Sequence, residues 1–381
     1  IPTFDDFRTA RRTLRFLNVA AAGAEYRKAV ILNGIDYSPF LYRAVLETLK
    51  EQIYETLIII AQTRKLQKIS EFSSVLIDAS GISPMGFLIE MNRETLRRIY
   101  FVGHGINVFK WTLKTTAHNN PHVTYLACGD DHRAEYGVHL PENEKPPRLT
   151  TGSPVATIMD PIRGKRPKDH GKRLLILGFA NINYQNTARE FGVDIYLADV
   201  FTVARDLIKE GWKITFRGHP RHPLDLEKLV IERLGITDSI QFDHRPDISD
   251  SLLVHDAVVS NITSVYYQAL YAGWPTIFYE PDYLSCANKS ILFNEQWYVG
   301  LPAALDIDRP IAIKREDLGR LIRETLDPKS KVATFPEKFV GKYAQRFLGP
   351  EPENVENIIA DILEKDHLNT IKPESPHAPS L

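Results

Sequence analysis

Between Arg173 and Phe278, short apolar runs alternate with helix-patterned stretches, and this order constrains the fold more than any other feature of the chain. Arg173-Leu174-Leu175-Ile176-Leu177 predicts a strand that enters the loop Gly178-Phe179-Ala180-Asn181. A helix over Asp199 to Glu210, a strand over Trp212 to Phe216 and a helix over Leu226 to Leu234, closed by Gly235, are expected next. The series continues with a strand at Ser239 to Phe242, a short helix at Asp247 to His255 and a strand at Ala257 to Val259. A helix at Val265 to Ala272, a Gly-Trp-Pro turn and a strand at Thr276 to Phe278 complete it. Strands buried on both faces read as continuous apolar runs, and intervening helices force parallel pairing. The expectation is a doubly wound α/β domain, with ligands in the crevice beyond the carboxyl ends of its strands.

The first half shows the same alternation. Ala29 to Leu32, Thr56 to Ile60, Ser74 to Ile77, Ile99 to Val102 and Val123 to Ala127 are strand candidates, and Phe40 to Ile53 has helical periodicity. From Asp160 to Arg173 proline, glycine and charge dominate, which reads as a linker. Its basic residues serve either solvation or contact with an anionic membrane or polymer. The expected organisation is an N-terminal Rossmann-like domain over 1–160, a linker over 161–172 and a C-terminal Rossmann-like domain over 173–335. Helices over 336–368 and a disordered, proline- and serine-rich tail over 369–381 follow. A chain of 381 residues exceeds one ordinary core, which agrees with two domains.

A net charge of −1 gives no global attraction to nucleic acid or anionic lipid, so no nucleic-acid partner is expected. No apolar run approaches the ~18 residues of a membrane span, and Ile1-Pro2-Thr3-Phe4-Asp5 does not resemble a secretory signal. The start at isoleucine leaves a processed or partial chain open. Cys128 and Cys286 are far apart and read as reduced cysteines of a cytoplasmic protein. No Walker loop, His-Glu-x-x-His or zinc-type cysteine spacing is present, so neither a metal nor a bound cofactor is expected.

The candidate chemistry lies just after the predicted strands. His219, in Arg217-Gly218-His219-Pro220, is held extended by the proline and either hydrogen-bonds or protonates a phosphate near neutral pH, or is a structural histidine at a strand end. Asn261-Ile262-Thr263-Ser264 leads into the helix at Val265, where hydroxyls either cap the helix or share its free N–H groups with an anion. Gln268 lies one turn deeper on the same face as Ser264, in reach of a ribose or base hydroxyl or else at the surface. Gly178 and Asn181 are candidate backbone and amide donors to a phosphate. His104 stands between Gly103 and Gly105 at the end of a first-half strand, as a general base for an acceptor hydroxyl or as a turn histidine. Asp130 and Asp131 are a weaker alternative base. Two doubly wound domains in tandem, with these residues at strand ends, suggest one shared cleft.

At these residues the chain resembles GT-B enzymes, in particular the CDP-glycerol:poly(glycerophosphate) glycerophosphotransferase family of teichoic acid and capsule synthesis. The matching positions are His104-Gly105, Gly152-Ser153-Pro154 with Asp160, His219-Pro220, and Asp247, Leu252-Leu253, Asp256 and Thr263-Ser264-Val265. The chain departs from that pattern at Ile106-Asn107 and at Gln268. A similar His-Pro and Ser/Thr-Ser pair occurs in bacterial sialyltransferases and Kdo transferases, which use CMP-sugars. The resemblance implies a GT-B fold of two Rossmann-like domains facing a central cleft, 1–160 as the acceptor domain and 173–335 as the nucleotide-donor domain. It implies transfer of glycerol- or ribitol-phosphate from a CDP-activated donor to a hydroxyl of a glycan or lipid-linked acceptor. The alternative it leaves open is a glycosyltransferase using a CMP-sugar or another nucleotide-sugar. His104 and His219 would be catalytic, and Gly178, Asn181, Arg217, Pro220, Asn261, Thr263, Ser264 and Gln268 would hold the donor. The expected location is the cytoplasm, with peripheral association at the inner face of the plasma membrane; oligomeric state stays open. A sugar-nucleotide epimerase and a non-catalytic binding protein are the rival readings.

Overall fold

The computed structural model describes residues 123–135, 141–167, 169, 171–178, 193–219, 224–261, 263–279, 299–300, 308–350 and 354–371. Before residue 123 it describes short strands, short helical stretches and single positions. The chain divides into two compact units, one formed by Ile1–Phe101, Thr115–Thr124 and Lys365–Leu381, the other by Val102–Lys114 and Tyr125–Glu364. Among the described residues no helix is long and apolar enough to cross a membrane.

In the first unit, β1 (Ile31–Leu32) pairs antiparallel with β2 (Ile35–Asp36), and β3 (Ser74–Ile77) pairs parallel with β4 (Arg98–Val102). One expectation is overturned here. Within the predicted strand Thr56 to Ile60, Leu57 and Ile58 are helical. Leu57 is buried and Ile58 is exposed. Ile53, also helical, precedes Leu57 by four residues, and that helical spacing outweighs the β-branched composition.

Along the second unit run β5 (Lys110–Trp111), β6 (Val123–Ala127, which begins at the unit boundary), α1 (Asp130–Glu135), β7 (Arg148–Thr150), α2 (Pro154–Met159) and β8 (Arg173–Leu177). Then come α3 (Val193–Lys209), β9 (Lys213–Arg217), α4 (Asp225–Arg233), β10 (Ile240–Phe242), α5 (Ile248–Leu253) and β11 (Ala257–Ser260). The chain continues through α6 (Val265–Ala272), β12 (Thr276–Tyr279), β13 (Val299–Gly300), β14 (Ile311–Ala312), α7 (Arg315–Glu324), α8 (Lys331–Lys342), α9 (Ala344–Leu348) and α10 (Val355–Ile371). Six parallel strands form one sheet in the order β10-β9-β8-β11-β12-β14. Counted from β8, that is third, second, first, fourth, fifth, sixth, the order of a dinucleotide-binding sheet.

Alternation along each strand feeds two cores. Leu174, Ile176, Val259, Ile277 and Tyr279 face α3, α4 and α7, where Phe201, Leu207, Ile231 and Leu318 are buried. Leu175, Leu177, Val258 and Phe278 face the opposite way, toward Met159, Tyr267, Trp274, Phe339 and Phe347 of the other layer. Tyr267 of α6 stacks on Phe347 of α9 at 4.6 Å between ring centroids. The end of α9 crosses the turn after β6 so closely that a Cβ on Gly129 would lie 2.1 Å from the Arg346 carbonyl oxygen. Gly349, at φ +93°, packs equally tightly against Gly152.

The stretch expected to be a linker is packed where it is described. Ile162 is buried in the second core, and Arg166 donates to the Asp256 carbonyl at 3.1 Å. Asp256 is fully buried and takes three bonds from Arg173, at 2.8, 3.0 and 3.0 Å, which tie the start of β8 to the start of β11. The helix expected over Glu353 to Lys365 runs to Ile371, and the rest of the predicted tail lies outside the described residues.

Candidate functional site at the carboxyl edge of the large sheet

Register brings three strand ends level. Leu177 of β8 pairs with Arg217 of β9, and on the other side of β8 Val259 of β11 pairs with Ile176. Chain direction across the sheet reverses between β8 and β11, so a topological switch point opens beyond Leu177 and Ser260. The Gly178 N–H donates to the Arg217 carbonyl at 2.8 Å, closing β8 against β9. A Cβ at Gly178 would stand 3.0 Å from Phe216 Cζ and 3.2 Å from Gly218 Cα, so glycine lets the two ends approach.

Across the switch point Asn261 Nδ2 donates to the Leu177 carbonyl at 3.0 Å. That bond fixes the amide orientation and leaves Oδ1 buried with no hydrogen-bond partner among the described residues. Helix α6 starts next to it. Ser264 holds the N-cap position in a helical conformation and makes no side-chain cap bond. The capping expected of this pair falls to Thr263, whose Oγ1 accepts from the Val265 N–H at a long 3.4 Å. Among the described residues the Ser264 N–H has no partner. The Val265, Tyr266 and Tyr267 N–H groups bond back to Thr263 and Ser264, so at the positive end of α6 the Ser264 N–H is the donor left over for an anion at a half-buried edge. One turn on, Gln268 is buried and its Oε1 has no partner among the described residues. The surface alternative for Gln268 does not hold.

Arg217 is committed to the protein. Its guanidinium donates to Asp243 Oδ2 at 3.1 Å, Ser251 Oγ at 2.9 Å, the Arg245 carbonyl at 2.8 Å and the Pro246 carbonyl at 3.2 Å. Burial would raise the Asp243 carboxyl, but bonds from Ser251, the Arg245 N–H and Arg217 outweigh it and hold it below the usual range. This network shapes the loops after β9 and β10. His219, half-buried, follows Arg217 by two residues on the same edge. Gly178, Arg217, His219, Asn261, Thr263, Ser264 and Gln268 therefore share one end of one sheet. His104, Asn181 and Pro220 lie outside the described residues.

Other motif positions are structural. Asp131, the alternative base, takes Arg346 Nε and Nη2 at 3.1 and 2.9 Å, and Asp130 accepts from Thr150 at 3.2 Å. Pro154 opens α2, where its missing N–H costs nothing. Cys128 is a buried thiol whose ionisation burial pushes up to about 11; Cys286 lies outside the described residues. Among the described residues no three His, Cys, Asp or Glu side chains converge to hold a metal ion.

No family model matches the chain, and no curated protein matches it in sequence. Solved structures do match in shape. The S. aureus MnaA–UDP co-structure is 12% identical, covers 86% of this chain and 87% of its own, and gives a TM-score of 0.52. A UDP-N-acetylglucosamine 2-epimerase, 10% identical over 89% of each chain, gives 0.51. The wall teichoic acid polymerase TagF, 14% identical over 79% of this chain and 74% of its own, gives 0.49. With the parallel sheets, the first two likenesses establish an α/β fold of the GT-B type.

Proposed function

We propose that the chain is a transferase that moves glycerol- or ribitol-phosphate from a CDP-activated donor to a hydroxyl of a cell-surface glycan of the teichoic acid or capsule type. The observation that supports the reading is the unsatisfied Ser264 N–H at the start of α6, at the switch point, flanked by oxygens of Asn261 and Gln268 that have no partner among the described residues. The donor's diphosphate would lie on the Ser264 N–H and the hydroxyls of Thr263 and Ser264, and could draw the Val265 N–H from its long bond to Thr263. The two amide oxygens would accept from hydroxyl or amino groups of the donor. Arg217 acts in this reading through the loop it orders.

In the reaction the acceptor oxygen attacks the phosphorus that carries the polyol. The bond from that phosphorus to the CMP oxygen breaks, and CMP leaves with the electron pair. His104 takes the acceptor proton, and His219 donates a hydrogen bond or a proton to the departing phosphate. On this reading the chain works in the cytoplasm, at the inner face of the plasma membrane where a lipid-linked acceptor would meet it.

The test incubates the chain with CDP-glycerol, CDP-ribitol or CMP-sugars and a lipid-linked acceptor, and weighs the products by mass spectrometry. Acceptor extended by a polyol-phosphate, with CMP released, is the expected result. Sugar transfer from a CMP-sugar moves the reading to the glycosyltransferase alternative. A donor isomerised without acceptor makes the chain an epimerase. Absence of turnover in folded protein rejects all three. His104→Ala should abolish transfer with nucleotide affinity nearly intact, and a variant that loses affinity alone contradicts the base role.

A further inference from the structure

Arg309, between Asp308 and Pro310 just ahead of β14, is only 4% exposed. None of its three guanidinium nitrogens has a hydrogen-bond partner among the described residues. The same holds for the hydroxyls of Tyr266 and Tyr267, both fully buried in the first turn of α6. The guanidinium carbon lies 5.8 Å from the centroid of the Tyr266 ring and 5.6 Å from that of Phe278. Burial pushes the Tyr266 hydroxyl up to about 12, against the pull of the nearby guanidinium, and raises the Tyr267 hydroxyl for the same leading reason. Both phenols therefore stay neutral O–H groups.

A guanidinium cannot shed its proton, and a buried charge without a hydrogen-bonded counterpart is among the costliest things a core can hold. Stacking over aromatic faces answers only part of that cost. Among the described residues, the carboxylates nearest the cluster are engaged elsewhere. Asp308 is exposed and held by Lys331 and by Lys338, the latter at 2.9 Å. Asp131, whose charge reaches Tyr267, is clamped by Arg346. Apart from the two phenol oxygens, which lie close enough to the guanidinium to feel it but not at bonding geometry, the described residues of the cluster offer donors and no free acceptor.

We propose that Arg309, Tyr266 and Tyr267 form a buried site for a small oxyanion of phosphate or carboxylate size. The guanidinium fork would hold two oxygens side by side, and the two phenols would donate to what remains. The site goes beyond the transfer reaction and does not depend on it. Its occupant is a free anion or the anionic group of a ligand seated at the start of α6.

The experiment follows thermal unfolding of the full chain without nucleotide, as phosphate, sulfate or acetate replaces chloride at fixed ionic strength. Wild type, Arg309→Met and the double variant Tyr266→Phe/Tyr267→Phe are compared. Salting effects and binding at the α6 start act on all three alike, so the difference between them reads the site. Over a hundredfold rise in the preferred anion, the wild-type midpoint should climb about 5 °C more than that of Arg309→Met, with the double variant in between. Equal climbs in wild type and Arg309→Met, or no climb in wild type, overturn the proposal. Should Arg309→Met fail to fold, an undiminished climb in the double variant overturns it. A calorimetric CDP titration of whichever variant folds then identifies the occupant. Affinity reduced tenfold or more means that the ligand's own anionic group fills the site, and unchanged affinity with the anion response lost means a free anion.

Discussion

Asn261 and Gln268 each bury an amide oxygen that finds no partner among the described residues. A buried acceptor left unmade costs about 1–3 kcal/mol, so these two positions are held at a loss unless a ligand completes them. Gln268→Leu is accordingly predicted to leave stability unchanged or raised while weakening CDP about tenfold, read by denaturant unfolding and calorimetry on the same protein. Part of this was legible. The offset of four between Ser264 and Gln268 places both on one helix face, and Asn261 falls on the loop after a strand. The role of Arg217 was not, because Asp243 and Ser251, which claim its guanidinium, are distant in sequence. Arg309 gave no signal at all, since nothing in Asp-Arg-Pro distinguishes a buried arginine from an exposed one.

Strands buried on both faces announce themselves, as β8, β11 and β12 do with unbroken apolar runs over Leu174 to Leu177, Ala257 to Val259 and Thr276 to Phe278. Strand β14 does not, because Ile311 and Ala312 are too few to form a run. Thr56 to Ile60 has the β-branched composition of a strand, but the spacing of Ile53 and Leu57 is helical and prevails. The crossing of α9 over the turn after β6 depends on glycine for space and was invisible in the sequence. Gly129→Ala is predicted to destabilise by about 3 kcal/mol or more, because the added methyl meets backbone that cannot swing aside. A denaturant midpoint measured with an unchanged slope checks it.

The two cores of the larger unit share one sheet, so its stability should report both through the groups buried between them. Burial pushes the His255 imidazole below its ordinary value, against the bond it donates to the Ser251 carbonyl. A folded value below the unfolded one means that stability is full above about pH 6.5, falls as pH drops, and levels off only beneath the folded value. His255→Gln should flatten that decline between about pH 7 and 5 in denaturant midpoints. A second loss follows at lower pH from Asp243 and Asp256. Burial alone would raise both, but their hydrogen bonds and cationic partners hold them low, so the stability they supply is present above about pH 4 and disappears as pH falls through their folded values. Breaking the Arg173–Asp256 pair with Asp256→Ala should cost about 3–5 kcal/mol, since it strands charge where β8 and β11 begin.

On the proposed reading the start of α6 receives the phosphates of an activated nucleotide. Ser264→Asp isolates it, because a carboxylate at a helix start favours the helix yet repels a bound phosphate. Calorimetric titration of CDP into wild type and Ser264→Asp should show affinity reduced tenfold or more in a variant that unfolds no earlier than wild type. Equal CDP affinity in the two folded proteins would mean that the start of α6 does not hold the phosphates.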